Sequence, residues 1–304
     1  MSSEAETIDD NTSMCASCGV AEGDDIKLKN CTACHLVKYF GVKCQKEHRP
    51  QHKRECKKRA AELHDEILFK QPENSHLGDC PICCLPLSIG KNKASTLMTC
   101  CSNMICKGCS YTNAMREIRD SLDQRCPYCR HPMPNSRADN EKNAMRRLEA
   151  NDPVAMREVG KRLSREGDYK RSVDYWAKAS ELGDLEAHYL ISYSYRVGEG
   201  VQKDIKKAIY HAEQAAIGGH PGSRFNLGSN EFQSGKVERA IKHWIIASNH
   251  GHDDSLRMLR ESYNKRFVGK EDFAAALRAH QAALDATKSP QREAGEAFYA
   301  NQNE

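Results

Sequence analysis

After Cys129 the chain contains no cysteine, although fifteen precede that point. This one-sided absence excludes thiol chemistry from the C-terminal part and divides the protein in two. Other shortages narrow the class further. No run approaches the ~18 consecutive apolar residues of a membrane span, so no membrane role is expected. The opening Met1–Asp10 stretch is acidic, has no apolar core and does not read as a secretion signal. Charge of neither sign prevails, with 46 Lys and Arg against 42 Asp and Glu, so net charge argues neither for nor against nucleic acid. Gly198-Glu-Gly200 has no following Gly-Lys-Ser/Thr, which excludes a phosphate loop and leaves those glycines to turn a hairpin. At 304 residues there is room for about two average domains.

What is present is a ladder of paired cysteines. Cys15-Ala-Ser-Cys18, Cys31-Thr-Ala-Cys34, Cys80-Pro-Ile-Cys83, Cys106-Lys-Gly-Cys109 and Cys126-Pro-Tyr-Cys129 each place two thiols three positions apart. That is the spacing with which a turn offers two thiolates to one tetrahedral Zn²⁺. With no secretory route the expected location is cytoplasmic or nuclear, where thiols stay reduced, so metal binding is favoured over disulfides. The expected fold class is small zinc-stabilised α+β modules followed by an all-α helical repeat solenoid.

The first module runs over 14–56, after an acidic N-terminus (1–13) read as disordered. His52 and Cys56 are four apart on a helical segment and share a face, which completes a site of Cys31, Cys34, His52 and Cys56. The order Cys-Cys, Cys-Cys, Cys, His-Cys, with Tyr39, Cys44, Gln45, His52 and Cys56 in place, resembles the MYND zinc finger, in which two ions are held in a cross-brace. The resemblance assigns Cys15, Cys18 and Cys44 to the other ion. That family has a further cysteine four residues before the one matching Cys44, and here the position is Phe40; His35 and His48 are the nearby substitutes. Arg49 stands where the family often has a tryptophan in a peptide groove, which weakens the case for proline-rich peptide recognition. Lys43–Arg59 carries eight basic residues against two Glu. Such a run on a short helix reads as a solvated face, so nucleic-acid binding is not expected.

A helical linker (57–76) follows, stopped near Gln71-Pro72 because proline disfavours helix at the residue before it. The second module (77–132) supplies Cys80, Cys83, Cys100, Cys101, Cys106, Cys109, Cys126 and Cys129, and resembles a RING domain of the all-cysteine type. In that family pairs one and three share an ion, as do pairs two and four. The resemblance thus implies sites of Cys80, Cys83, Cys106 and Cys109, and of Cys100, Cys101, Cys126 and Cys129. Cys84 is left over, for packing or as a spare thiol. The resemblance also implies a groove for a ubiquitin-conjugating enzyme, with Ile82 and Pro127 on its two loops and Arg130 hydrogen-bonding to both proteins. Ser110–Leu122 fits the intervening helix, with Ala114, Ile118 and Leu122 on one face and no tryptophan.

Past a linker and leading helix (133–150), the segments ending at Gly183, Gly219 and Gly251 repeat at intervals of 36 and then 32 residues, which implies a helix-turn-helix solenoid. Ala179, Ala215 and Ala247 recur where helices must approach closely, and Trp176, Ala212 and Trp244 are equivalent. Tyr195–Asp204 brings the middle unit close to the SEL-one-like repeat, a relative of the tetratricopeptide repeat. The resemblance covers roughly 151–287 and implies a protein-binding surface. Phe273, Leu277 and Leu284 make the stripe of the last helix, and 288–304 reads as a tail without a role.

Two functions follow from these resemblances. One is a RING-type ubiquitin ligase whose repeats recruit substrate and which needs no catalytic residue of its own, since it only positions the charged conjugating enzyme. The other is a non-enzymatic zinc-dependent scaffold for protein–protein interaction. A methyltransferase of the SET type is excluded, because Asn249-His250-Gly251-His252 lacks the cysteine of that motif. Both readings require zinc. Metal analysis of purified protein should return three to four zinc ions per chain; two or fewer would mean that the first module has largely lost its metal.

Overall fold

The computed structural model describes residues 13–90 and 95–300, and residues 1–12 of the acidic N-terminus lie outside them. Ser13 is described: its side chain accepts a hydrogen bond from Lys38 Nζ at 3.0 Å. The chain falls into two compact units, Met1–Lys70 and Gln71–Glu304. The second cysteine module and the helical repeats therefore belong to one body. No helix among the described residues is long and apolar enough to cross a membrane.

The first unit contains a two-residue antiparallel ladder, β1 (Lys29–Asn30) with β2 (Lys38–Tyr39), and one helix, α1 (Val42–Leu68). The helix of the finger and the linking helix are thus a single 27-residue element. Pro50 lies inside it. Proline removes a backbone donor there, and the position is tolerated because ligand side chains anchor the helix on both sides, Cys44 before it and His52 and Cys56 after it.

The second unit begins with a strap of bends and turns over 71–79, and later come a hairpin of β3 (Ser95–Met98) and β4 (Asn103–Cys106) and then α2 (Lys107–Arg119). The helix starts three residues before the expected Ser110, because Cys106 Sγ accepts from the Cys109 N–H and caps it. Ile118 and Leu122, read as sharing one face, are exposed. The buried residues of α2 are Gly108, Cys109 and Glu117. Behind it come α3 (Arg137–Glu149), α4 (Pro153–Arg165), α5 (Tyr169–Glu181), α6 (Leu185–Val197), α7 (Ile205–Ile217), α8 (Pro221–Gln233), α9 (Val237–Ser248), α10 (Asp253–Asn264) and α11 (Lys270–Ala286).

These helices pair as α4/α5, α6/α7 and α8/α9. The first helices of successive pairs, and α10, open on the same chemistry: Asp152, Asp184, His220 and His252 each accept from the backbone N–H three residues on. The three glycines that mark the period, Gly183, Gly219 and Gly251, all take φ between +85° and +89°, a conformation that carries no penalty only for glycine. The uneven period comes from the hairpin loops, which are 166–168 and 234–236 in the short pairs and 198–204 in the middle one. Ala179, Ala215 and Ala247 are fully buried, as are Trp244 and nearly so Trp176 and Ala212. Each tryptophan rests on a glycine of the partner helix. A Cβ on Gly228 would lie 2.6 Å from Trp244 Nε1, and Gly160 meets Trp176 in the same way. In α11 the buried residues are Ala276 and His280, while Leu277 of the expected stripe is exposed. The small Ala276 lets that helix approach its neighbours more closely than leucine would.

The largest departure is at the C-terminus. The segment read as a tail forms α12 (Pro290–Ala300), which packs on α2. Its sequence carried no repeat signature, because its partner is outside the solenoid.

Substituting Gly228→Ala should lower the stability of the second unit by about 1–3 kcal/mol. Any gain in helix propensity is outweighed because the fully buried Trp244 ring has nowhere to move; chemical denaturation followed by circular dichroism measures it.

Candidate metal centres

In four of the five Cys-x-x-Cys pairs the N–H four residues after the first cysteine bonds back to that cysteine's carbonyl, Gly19 to Cys15, His35 to Cys31, Cys84 to Cys80 and Arg130 to Cys126, at 2.9–3.0 Å, while Cys106 and Cys109 open α2. The donating residue has positive φ in all four, from +53° to +73°. Cys84 is therefore the left-handed residue of a knuckle, which accounts for a cysteine that no metal site claims.

These turns, together with α1 and α2, bring all fifteen expected ligands into four groups, with ligand atoms of each group within 4.8 Å of one another. The groups are Cys31, Cys34, His52 and Cys56; Cys80, Cys83, Cys106 and Cys109; Cys100, Cys101, Cys126 and Cys129; and Cys15, Cys18 and Cys44. A tetrahedron with Zn–S of about 2.3 Å has S···S edges of about 3.8 Å. The observed separations are 3.7 Å for Cys31–Cys56, 3.8 Å for Cys83–Cys106, 3.9 Å for Cys101–Cys126, 3.4 Å for Cys100–Cys129 and 3.6 Å for Cys18–Cys44. Cys34 Sγ lies 3.1 Å from His52 Nε2. All fifteen cysteines are free, and these separations far exceed a sulfur–sulfur bond of about 2.05 Å. The donor sets fit zinc, whose chemistry here is to cross-link loops.

Within the groups the thiols are unlike one another. Burial opposes ionisation of Cys15, but backbone N–H groups of Cys18, Phe40 and Ser17 outweigh it and hold the thiol at about 6. Cys31 is likewise brought to about 6, against burial, by the N–H groups of Ala33 and Cys34 and by His52. Their companions move the other way: hydrogen bonding to Cys18 and burial push Cys44 to about 11, and burial next to Cys31 pushes Cys56 to about 12. One thiolate per group is ready for a cation while others must release protons to it, so binding in these groups weakens as pH falls.

The second module is fastened to the repeats on two sides. On one side α12 enters so closely that a Cβ on Gly108 would lie 2.7 Å from Arg292 Cα, and one on Gly295 would lie 2.8 Å from Gly108 Cα. The buried Arg292 donates to Cys83 Sγ at 3.3 Å, to Leu85 O at 2.9 Å and to Pro86 O at 2.6 Å. Burial raises the Cys83 thiol, yet the guanidinium and the Leu85 N–H bring it to about 7. On the other side the strap lies on the repeat turns: His76 N–H donates to Gly219 O at 3.1 Å, and Gln71 meets His250 and Asn249.

His76, Glu186 and His220 form a further cluster there, which the sequence reading missed. The Nδ1 of His220 accepts from the Ser223 N–H at 3.0 Å. Its proton is therefore on Nε2, which donates to Glu186 Oε2 at 3.0 Å. The other Glu186 oxygen meets Lys161 Nζ at 3.2 Å. The cluster is a polar anchor for the strap. The signal for it was the series Asp152, Asp184, His220 and His252 at one repeat position.

Of the residues implied for a conjugating enzyme, Ile82 is 41% exposed and Pro127 is half-buried. Arg130 donates to Asn113 Oδ1 at 2.9 Å and to the buried Glu117 at 3.0 Å, so its guanidinium ties the last knuckle to α2.

Two family models match the chain: the MYND finger over residues 15–56, and the Sel1 repeat over 153–184 and 185–220. The chain carries a MYND finger and Sel1 repeats. Among solved structures it is similar to a protective antigen of uropathogenic Escherichia coli displaying an SLR fold, at 25% identity over 48% of this chain and 33% of that one, TM-score 0.40. It is also similar to a Sel1 repeat protein from Oxalobacter formigenes, at 23% identity over 59% of this chain and 72% of that one, TM-score 0.42. This chain thus spans a third of the first structure's length. No curated protein matches significantly. The MYND finger binds zinc, and the Sel1 repeats follow it in the same chain.

Arg292→Leu should loosen the group it touches. Zinc captured by a chromophoric chelator should leave one site about 10–100-fold faster, in line with the loss of a hydrogen bond behind a ligand, while the MYND finger's release is unchanged.

Proposed function

We propose that the chain is a RING-type ubiquitin ligase of the cytosol or nucleus, in which the Sel1 repeats recruit a protein substrate beside the second zinc module. The observation that carries the reading is the interleaved pairing of eight thiols, Cys80/Cys83 with Cys106/Cys109 and Cys100/Cys101 with Cys126/Cys129. It brings Ile82 and Pro127 onto the two knuckle loops flanking α2, as in a surface for a ubiquitin-conjugating enzyme. Ile118, Leu122 and Tyr128 add exposed apolar area on the same module. α12 occupies the start of α2 and leaves these residues open.

A cleft of about 990 Å³ runs between this module, at Leu77, Pro81 and Leu87, and the repeats, at Arg157, Lys161 and Tyr189. A substrate held there would be next to the conjugating enzyme. Catalysis in this reading is positional: the module restrains a thioester that the other enzyme carries, and no side chain of this chain reacts.

A second reading, a scaffold without catalytic action, is favoured by one observation. Arg130, which would bond to both proteins in a ligase, is already held by Asn113 and Glu117.

Discharge of ubiquitin from a charged conjugating enzyme to free lysine separates the two. The full chain should accelerate discharge, and Ile82→Ala should reduce the acceleration about tenfold or more, the cost of removing an apolar anchor. No acceleration with any of a panel of conjugating enzymes would leave the scaffold.

A further inference from the structure

One donor set falls short of four. Cys15, Cys18 and Cys44 meet, and among the described residues no other Cys, His, Asp or Glu joins them. Phe40, in the place of the family's cysteine, is 53% exposed and gives the group its backbone N–H, which donates to Cys15 Sγ at 3.3 Å. Neither of the two nearby histidines joins the group. His48 Nδ1 faces the Tyr39 hydroxyl at 3.1 Å and its ring stacks on His52. His35 is the left-handed residue of the other knuckle. Cys18 is exposed, so the group is reached from solvent at that ligand. Zinc with three protein ligands completes its tetrahedron with an external one.

We propose that Cys15, Cys18 and Cys44 form an open three-thiolate zinc site whose fourth ligand is a thiolate supplied from outside the finger. Sulfur is the donor that matches the three already there. The negative charge of a fourth thiolate is offset in two ways. The Phe40 N–H already donates to Cys15 Sγ, and Cys44 lies in the first turn of α1, where the free N–H groups of the helix favour anions. The incoming thiol releases its proton to solvent on binding, and no bond to carbon is made or broken. Its source is either a small thiol or a cysteine side chain of a partner protein.

The full chain reconstituted with Co²⁺ reports the change directly, because thiolate–Co²⁺ charge-transfer and ligand-field bands follow the number of sulfurs. Millimolar glutathione, or a blocked Ser-Cys-Ser peptide, should produce a saturating difference spectrum of one added thiolate per chain with unchanged cobalt content. A response to glutathione assigns a small thiol, and a response confined to the peptide assigns a protein side chain. In Phe40→Cys, which completes the tetrahedron from within, the response should disappear. No difference spectrum with either thiol, an equal response in Phe40→Cys, or only three bound ions in the untreated chain would each overturn the proposal.

Discussion

Sulfur held around metal is the interaction on which both zinc modules depend, because neither owns another core. In the second module five of the eight buried core residues are cysteines, with only Leu87, Met98 and Ile105 among them. In the first, four of six are cysteines, beside Leu28 and Tyr39. Apolar burial on that scale cannot meet a backbone entropy cost of about 1–2 kcal/mol per residue. A structural zinc site contributes about 10–16 kcal/mol. The hairpins β1–β2 and β3–β4 and the left-handed knuckle turns are accordingly read as consequences of ligation, held where four donors must converge.

The repeats work by the opposite economy. Each hairpin contacts chiefly its neighbours, and the recurring devices are apolar and local: a tryptophan on a glycine, an alanine where helices cross, a side chain capping the next helix. The second zinc module joins this body through contacts distant in sequence. Arg292 lies more than two hundred residues from Cys83 yet donates to its sulfur. His76 and Gln71 bind the turns before α8 and α10. A module whose knuckle is braced by α12 and whose lead-in is fixed to Gly219 is held in one orientation toward the repeats. That is the property a positional catalyst or a scaffold needs.

What the sequence disclosed and what it hid follow from the same distinction. Ligand spacing is a local code, so the Cys-x-x-Cys pairs were legible directly, as were the period of Gly183, Gly219 and Gly251 and the longer loop at 198–204; the grouping of Cys80 with Cys106 and of Cys100 with Cys126 came from the resemblance to a RING. Contacts between distant segments leave no such code. α12 looked like a tail because its apolar residues, among them Phe298 against Tyr111, answer to a helix elsewhere in the chain. The role of Glu117 was hidden as well, since a buried carboxylate serving Arg130 and the Arg125 N–H reads from sequence as one more surface charge. Cys84 was left out of both sites by the sequence reading, and what the sequence did not disclose is its role: a φ of +53° makes it a turn residue.

The cross-brace also explains how the first module tolerates Phe40. Cys44 belongs to one group and His52 and Cys56 to the other, and all three are on α1. Lys38 and Tyr39 of β2 pair with β1 next to Cys31, while Cys15 bridges Lys38 from the first knuckle. The complete group therefore fixes β1, β2 and α1, and those elements in turn hold Cys44 opposite Cys15 and Cys18. In two separate fingers the loss of one ligand would unfold the finger that lost it. In interleaved sites the intact tetrahedron maintains the geometry of the incomplete one, so its fourth position need not be filled for the module to fold.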